Sequence, residues 1–247
     1  MILCINISLL FLKIKNYHSI DDDVYYSLAQ LAKENDDISE IYNHYMEYPP
    51  EILELLTKDP DTLDFVKSYS QFKNNPTIPK NVGKLNGKIP LLLQWDPRWG
   101  YFAYGNNSIA FNGCAPTCLS MVICGLTQDN TITPYHVAKY SLDNNYYIEG
   151  TGTKWELMTK GAKHFGIKGK QISLNQSQII SELRSSHPLI CSMGPGDFTN
   201  QGHFIVIVGY QNGKFIIHDP NSKKRSQKLW DYKVLSHQIK SLWTFHA

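Results

Sequence analysis

No C-x-x-C pair occurs in this 247-residue chain, and its five cysteines stand at irregular spacing. That excludes a disulfide framework and a zinc ribbon, and no metal or organic cofactor is expected. No apolar run is long enough to span a bilayer, because the opening MILCINISLLFLKIKN is apolar only as far as Leu12. Residues 1–12 read either as the remnant of a signal or anchor, which favours an extracellular or cell-envelope protein, or as a buried first element of a cytoplasmic one. Interleaved Arg–aromatic patterning is missing, which argues against nucleic acid as a partner. The glycine-rich GPGDFTNQG at 194–202 lacks a G-K-[ST] ending and opens onto no helix, so it is no phosphate loop. It reads as a flexible wall able to gate a cleft.

What is present is a step in charge. Residues 1–75 hold 13 acidic and six basic side chains, a balance of −7, whereas residues 76–247 hold nine and 18, a balance of +9. Such a step marks a domain edge. Residues 20–48 carry apolar side chains at helical spacing up to Pro49 and Pro50. The following PEILELLTKDPDTLDFVKSYSQF predicts two short helices broken at Pro60, capped by Asp59 or Asp61. A helical region over 1–75, a Pro/Gly/Asn-rich linker at 76–85 and a larger body over 86–247 follow. In that body the spacing predicts helices over 114–126, 133–144, 154–165 and 175–186. Apolar strands are predicted over 188–193, 203–210 and 214–220, the last two joined by a turn at Asn212-Gly213. Helices followed by an antiparallel sheet is the α+β pattern.

Three cysteines crowd FNGCAPTCLSMVICGL at 111–126. Pro116 is tolerated only in a first helical turn, which puts Cys114 at the helix N-terminus behind Gly113. Unpaired N–H groups and the positive dipole end favour a thiolate there, and cysteines so placed titrate at roughly 3.5–7.5 rather than about 8.5. Cys118 and Cys124, further along, read as core. A nucleophilic cysteine needs a base and the base an orienter. His203 opens the strand HFIVIVGY beside Gly202, and Asp219 closes the neighbouring strand in IIHDPNS. Counted from the Asn212 turn the two do not match in length, so their meeting needs a bulge or an offset. His218 alternates to the opposite face from Asp219 and reads as structural. Trp95 and Trp99 line a substrate groove or pack in the core. Gly113 and Gly202, flanking the candidate nucleophile and base, read as substrate-binding positions. The basic run SKKRSQK at 222–228 reads as a solvated loop, the sharper alternative being contact with an anionic wall polymer.

Taken together, IPLLLQWDPRWG, GCAPTCLSMV, EGTGTKWELM, CSMGPGDFTNQGHFIVIVGY and HDPNSKKRSQKLWDY resemble the C39-like branch of papain-like cysteine peptidases of Gram-positive bacteria. The resemblance covers about residues 86–247, and the helical N-terminal part looks like the leader region of such proteins. It implies a papain-like α+β fold and a Cys-His-Asp triad on Cys114, His203 and Asp219. It also implies an oxyanion-hole glutamine, here Gln94, although 19 residues separate Gln94 from Cys114 where shorter relatives have only a few. The expected activity is hydrolysis of a peptide bond through a thioester, with a cell-wall or secreted peptide as partner. Capture of the same thioester by an amine, which would make the protein an acyl- or peptidyl-transferase, and a peptide-binding module without turnover are the alternatives.

Overall fold

The structure, a computed structural model, describes residues 20–73 and 75–247. Cys4 and the apolar stretch 1–12 lie outside the described residues. Two compact units divide the chain, one ending at Gln71 and the other running over Phe72–Ala247.

The first unit is helical. Asp21 caps α1 (Asp22–Leu31), its carboxylate accepting from the Asp23 N–H at 2.9 Å. The continuous apolar periodicity over 20–48 is interrupted at Asn35. Its side-chain oxygen accepts from the Ile38 N–H at 3.2 Å and starts a separate α2 (Asp36–Asn43). An Asn side chain competes for main-chain donors, so it ends one helix and caps the next even where the apolar pattern runs on. Pro50 opens α3 (Pro50–Lys58). Asp59, not Asp61, caps the turn towards α4 (Leu63–Lys67), accepting from the Asp61 N–H at 3.1 Å. Leu28, Ile41, Leu53, Leu56 and Phe65 form the buried interior of this unit.

In the second unit a short hairpin, β1 (Ala103–Tyr104) and β2 (Asn107–Ser108), leads into α5 (Ile109–Asn112) and the long α6 (Cys114–Thr127). Every residue of α6 from Ala115 to Cys124 is buried, as expected of a helix apolar on all sides. There follow α7 (Pro134–Asp143), a second hairpin of β3 (Tyr147–Ile148) and β4 (Gly152–Thr153), α8 (Lys160–His164), β5 (Lys168–Ile172) and α9 (Gln176–Arg184). The chain then runs through β6 (Leu189–Met193), β7 (His203–Gln211), β8 (Lys214–His218), α10 (Lys223–Ser226), β9 (Leu229–Trp230), α11 (Tyr232–Ser236) and β10 (Ile239–His246). Six strands form one antiparallel sheet in the order β5-β10-β6-β7-β8-β9.

Alternation along the strands splits the core in two. Ile190, Phe204, Val206, Trp243 and Phe245 pack with Cys118, Met121 and Val122 of α6. Leu189, Cys191, Ile205, Ile207 and Ile217 pack on the other face with Ile179 of α9. The sheet is thus covered on both sides, α+β as the pattern of elements indicated.

Three departures have physical causes. The helix expected over 154–165 is a 3₁₀ turn at Trp155–Met158 followed by the short α8. Here β5 comes so close that a Cβ on Gly169 would lie 1.9 Å from the Met158 carbonyl oxygen. Strand β10, which sits between β5 and β6, carries no flanking turn signal, and KGKQI in β5 reads as polar; neither was expected from pattern. The stretch expected as a linker has no helix or strand, yet its end is anchored: Val82 is buried and its N–H donates to the Asn130 carbonyl at 2.9 Å.

The β7–β8 turn has Asn212 at φ 52° and Gly213 at φ 78°, both left-handed as a tight two-residue hairpin demands. Gly213→Val forces a β-branched side chain into that region and is expected to lower stability by about 1–3 kcal/mol, read from urea unfolding.

Candidate active site

Cys114 is the first residue of α6, where its main-chain N–H has no intrahelical partner and Pro116 removes no helical bond. The approach from α5 is tight, since a Cβ on Gly113 would lie 2.5 Å from the Ile109 carbonyl oxygen. Glycine lets α5 and α6 meet at this angle, and the thiol of Cys114 is left half-buried on the wall of a cleft of about 910 Å³. The other described cysteines are buried in the core. Burial pushes the Cys118 and Cys191 thiols well up and that of Cys124 to about 12.

His203 opens β7 and lines the same cleft. Its Nε2 lies 2.8 Å from Asp219 Oδ1, and the Cys114 thiol lines the same cleft close enough to raise the imidazole further. With Nε2 taken by the carboxylate, Nδ1 is the nitrogen left for sulfur. The hairpin reaches this meeting through a bulge: the register shifts between Ile207 and Gly209, Val206 then faces His218, and Asp219 lies diagonal to His203 just past the strand end. His218 is turned away and bonds the Pro90 carbonyl at 3.2 Å.

Asp219 has no exposed surface. Its Oδ1 also accepts from the Asn221 N–H at 2.7 Å, and its Oδ2 accepts from Arg225 Nε at 2.5 Å. Burial alone would raise this carboxyl, but the charge and bond of His203, then those of Arg225, outweigh it and hold the group below the usual carboxylate range. For His203, burial alone would lower the imidazole; Asp219 and then Cys114 reverse this and hold it up at about 10.

The remaining expected residues divide. Gly202 lines the cleft with open space where a Cβ would go, while Gly113 serves by packing behind it. Gln94 is 3% exposed and lies outside the cleft lining. Its amide nitrogen donates to the Ala110 carbonyl at 2.7 Å and meets that of Phe111 only at 3.5 Å, while its Oε1 is buried without a partner. Trp95 and Trp99 do not form a substrate groove. Trp99 is a core residue whose indole N–H donates to the Leu93 carbonyl at 2.8 Å, and Trp95 is buried beneath the Lys223 ammonium. Their aromatic surface is consumed by packing, the commoner fate of tryptophan. Among the described residues no group of three or more His, Cys, Asp or Glu side chains is placed to hold a metal ion, and no helix is long and apolar enough to cross a membrane.

Sequence reasoning missed one wall of the cleft and read another as flexible. The β3–β4 hairpin, with Tyr147, Thr153 and Trp155, forms one wall and is tied down by Tyr104, whose buried hydroxyl meets Ser141 at 2.8 Å and Thr153 at 2.7 Å. The loop 194–202 is pinned, not a loose gate. Gln238 Oε1 accepts from the Asp197 N–H at 2.7 Å, its Nε2 donates to the Asp197 carboxylate at 2.6 Å, and Phe198 is buried against Trp230. Gly196 sits against this amide, where a Cβ would lie 2.2 Å from Gln238 Oε1. Nor is SKKRSQK a solvated loop, since it forms α10 and delivers Arg225 to Asp219.

The model of the Peptidase C39 like family matches residues 87–245. Among solved structures, the peptidase domain of Streptococcus ComA, a bi-functional ABC transporter involved in a quorum sensing pathway, is similar at 21% identity. It covers 54% of this chain and 89% of that one, with a TM-score of 0.41. A Bacillus anthracis protein described as a C39-like peptidase is similar at 13% identity over 64% of this chain and 94% of its own, with a TM-score of 0.37. No curated protein matches the chain.

Two outcomes follow from this geometry. The stability that His203 draws from its raised value is complete below about pH 6.5, the unfolded imidazole value, and is lost as pH rises through about 10. The part that Asp219 draws from its lowered value is complete above about pH 3.9 and is lost as pH falls through the folded value. The difference in unfolding free energy between wild type and His203→Gln is therefore expected to peak between about pH 4 and 6.5, measured by urea unfolding across pH. For the pinned loop, Gln238→Ala is expected to speed amide hydrogen exchange over 194–202 while leaving β7 and β8 protected.

Proposed function

The chain belongs to the Peptidase C39 like family, and from that membership and its cleft we propose that it is a cysteine peptidase acting through Cys114. The observation that carries this reading is a half-exposed thiol at a helix N-terminus sharing one cleft with His203, which is itself bonded to a fully buried carboxylate.

In this mechanism His203 Nδ1 takes the Cys114 proton and the thiolate attacks the carbonyl carbon of a peptide bond. The main-chain N–H of Cys114 meets the developing oxyanion. Gln94 is not placed as a second donor, since its amide is buried outside the cleft lining and donates to the Ala110 carbonyl. As the tetrahedral intermediate collapses, the C–N bond breaks and the imidazolium gives its proton to the departing amine. A thioester remains. Water then attacks it as His203 accepts a proton, releasing the acid and restoring the thiol. Asp219 keeps the imidazole in the tautomer that directs Nδ1 at sulfur. The substrate class is a peptide, of the cell wall or secreted.

The test needs no known substrate at first. Iodoacetamide labelling of Cys114, followed by peptide mass spectrometry, is expected to stay fast well below pH 8 and to be lost or shifted upward in His203→Ala, with Cys118, Cys124 and Cys191 unlabelled in the native state. In a peptide-library assay Cys114→Ala is expected to cost at least about 10³-fold in rate with little change in stability. Ordinary thiol titration of Cys114 in both proteins would sink the reading. Product formation that depends on an added amine would convert it to transfer.

A further inference from the structure

We propose that Arg225 is a positioning residue of this site, holding the Asp219 carboxylate in the orientation His203 requires and sharing its charge. The inference rests on the peptidase reading for its consequence, and on the side-chain geometry for its substance.

The two oxygens of Asp219 have divided tasks. Oδ1 serves the site, meeting His203 Nε2 and the Asn221 N–H. Oδ2 accepts from Arg225 Nε. Rotation about the last bond of an aspartate is soft and two-fold, so a carboxylate anchored through one oxygen alone swings. The guanidinium removes that freedom. It also gives the buried carboxylate a second cationic partner.

Arg225 is itself built into place. Ser222 Oγ accepts from the Arg225 N–H at 3.2 Å, and the Asp219 N–H donates to Ser226 Oγ at 2.9 Å, so α10 and the end of β8 cap each other. The Arg225 carbonyl accepts from the Trp230 indole at 3.0 Å. The guanidinium lies 5.9 Å from the Phe198 ring, and Phe198 belongs to the pinned loop beside His203. Its basic neighbours go elsewhere: Lys223 lies over Trp95, Lys228 lies over Trp230, and Lys224 is exposed. Among the basic residues of SKKRSQK, Arg225 is the one whose side chain reaches the site.

A guanidinium keeps its charge throughout the working pH range and binds through a fixed fork, which an ammonium does not. Arg225 therefore draws on the same carboxylate that holds the imidazolium, and its effect on His203 is to ease proton release. The other titratable groups near His203 are few. Cys114 faces it from α6 and Asp219 from beyond β8, and Cys118 and Cys191 lie buried in the core behind. Lys154, Glu156 and Lys240 line the same cleft, and β6, paired to β7, brings only Ser192 and Met193 to it.

The experiment compares wild type, Arg225→Gln and Arg225→Lys as full chains. The His203 ring is titrated by NMR, Cys114 alkylation is followed against pH, and peptide cleavage is measured where a substrate is in hand. Arg225→Gln is expected to raise the His203 midpoint by about one unit and to slow Cys114 alkylation. Arg225→Lys is expected to keep the midpoint near that of wild type and to recover only part of the rate. An unchanged midpoint in folded Arg225→Gln, whatever its loss of stability, overturns the proposal, because a purely structural arginine would behave that way. Should Arg225→Gln fail to fold, Arg225→Lys decides: reduced cleavage or alkylation at unchanged midpoint supports the proposal, and wild-type rates overturn it. If wild-type Cys114 alkylation proves independent of His203, the peptidase reading falls, yet the NMR midpoint still decides the role of Arg225.

Discussion

A carboxylate with no exposed surface has to be answered from within the protein, and Asp219 is answered three times, by an imidazole, a main-chain N–H and a guanidinium. Each answer recruits a different part of the second unit. His203 comes from the first residue of β7, Asn221 from the turn after β8, and Arg225 from a helix whose cap is shared with Asp219 itself. Removing one partner of such a cluster strands the others in a medium that solvates charge poorly. The open end of the sheet is therefore held together by the same contacts that surround the candidate site.

The cleft is built on rigid supports. One wall is the β3–β4 hairpin, tied to the interior by Tyr104; the other is the loop before His203, clamped by Gln238 and weighted by Phe198. Between them α6 presents Cys114 at its first turn, and Gly113 permits the close approach of α5 that aims it. The same helix shows how position decides what sulfur does. Cys118 and Cys124 lie one and several turns on, sealed in the core with their thiols pushed up, while Cys114 alone reaches the cleft and a base. A site made of fixed groups needs little rearrangement to meet a developing charge.

Several elements read from pattern agree with the structure because their signals are local. Pro116 and the apolar run place α6 to within a residue, and Asn212-Gly213 marks the β7–β8 turn because both positions need positive φ. The offset needed to bring His203 to Asp219 is a real bulge near Gly209. Where pattern failed, a competing contact had won. Asn35 divided an unbroken periodicity by bonding the main chain, and β10 entered the middle of the sheet without a turn to announce it. Trp95 and Trp99, open to two readings in the sequence, went to the interior.

What the sequence determined by itself is the set of candidate groups and their local geometry: a cysteine at a helix start, a histidine opening an apolar strand, an aspartate closing the next, and the turn that folds one strand against the other. Local backbone preference and alternation suffice for these, since they depend on neighbours a few residues away. Only the tertiary structure decided which groups meet. It sent Arg225, one of the basic side chains in a run that looks solvated, to a buried carboxylate, and it stiffened a glycine-rich loop through Gln238, some 41 residues distant in the chain. It also turned the Gln94 amide onto Ala110. Burial creates these pairings, because a charge or amide removed from water must find whichever partner the packed chain brings near, and sequence spacing carries no record of that partner.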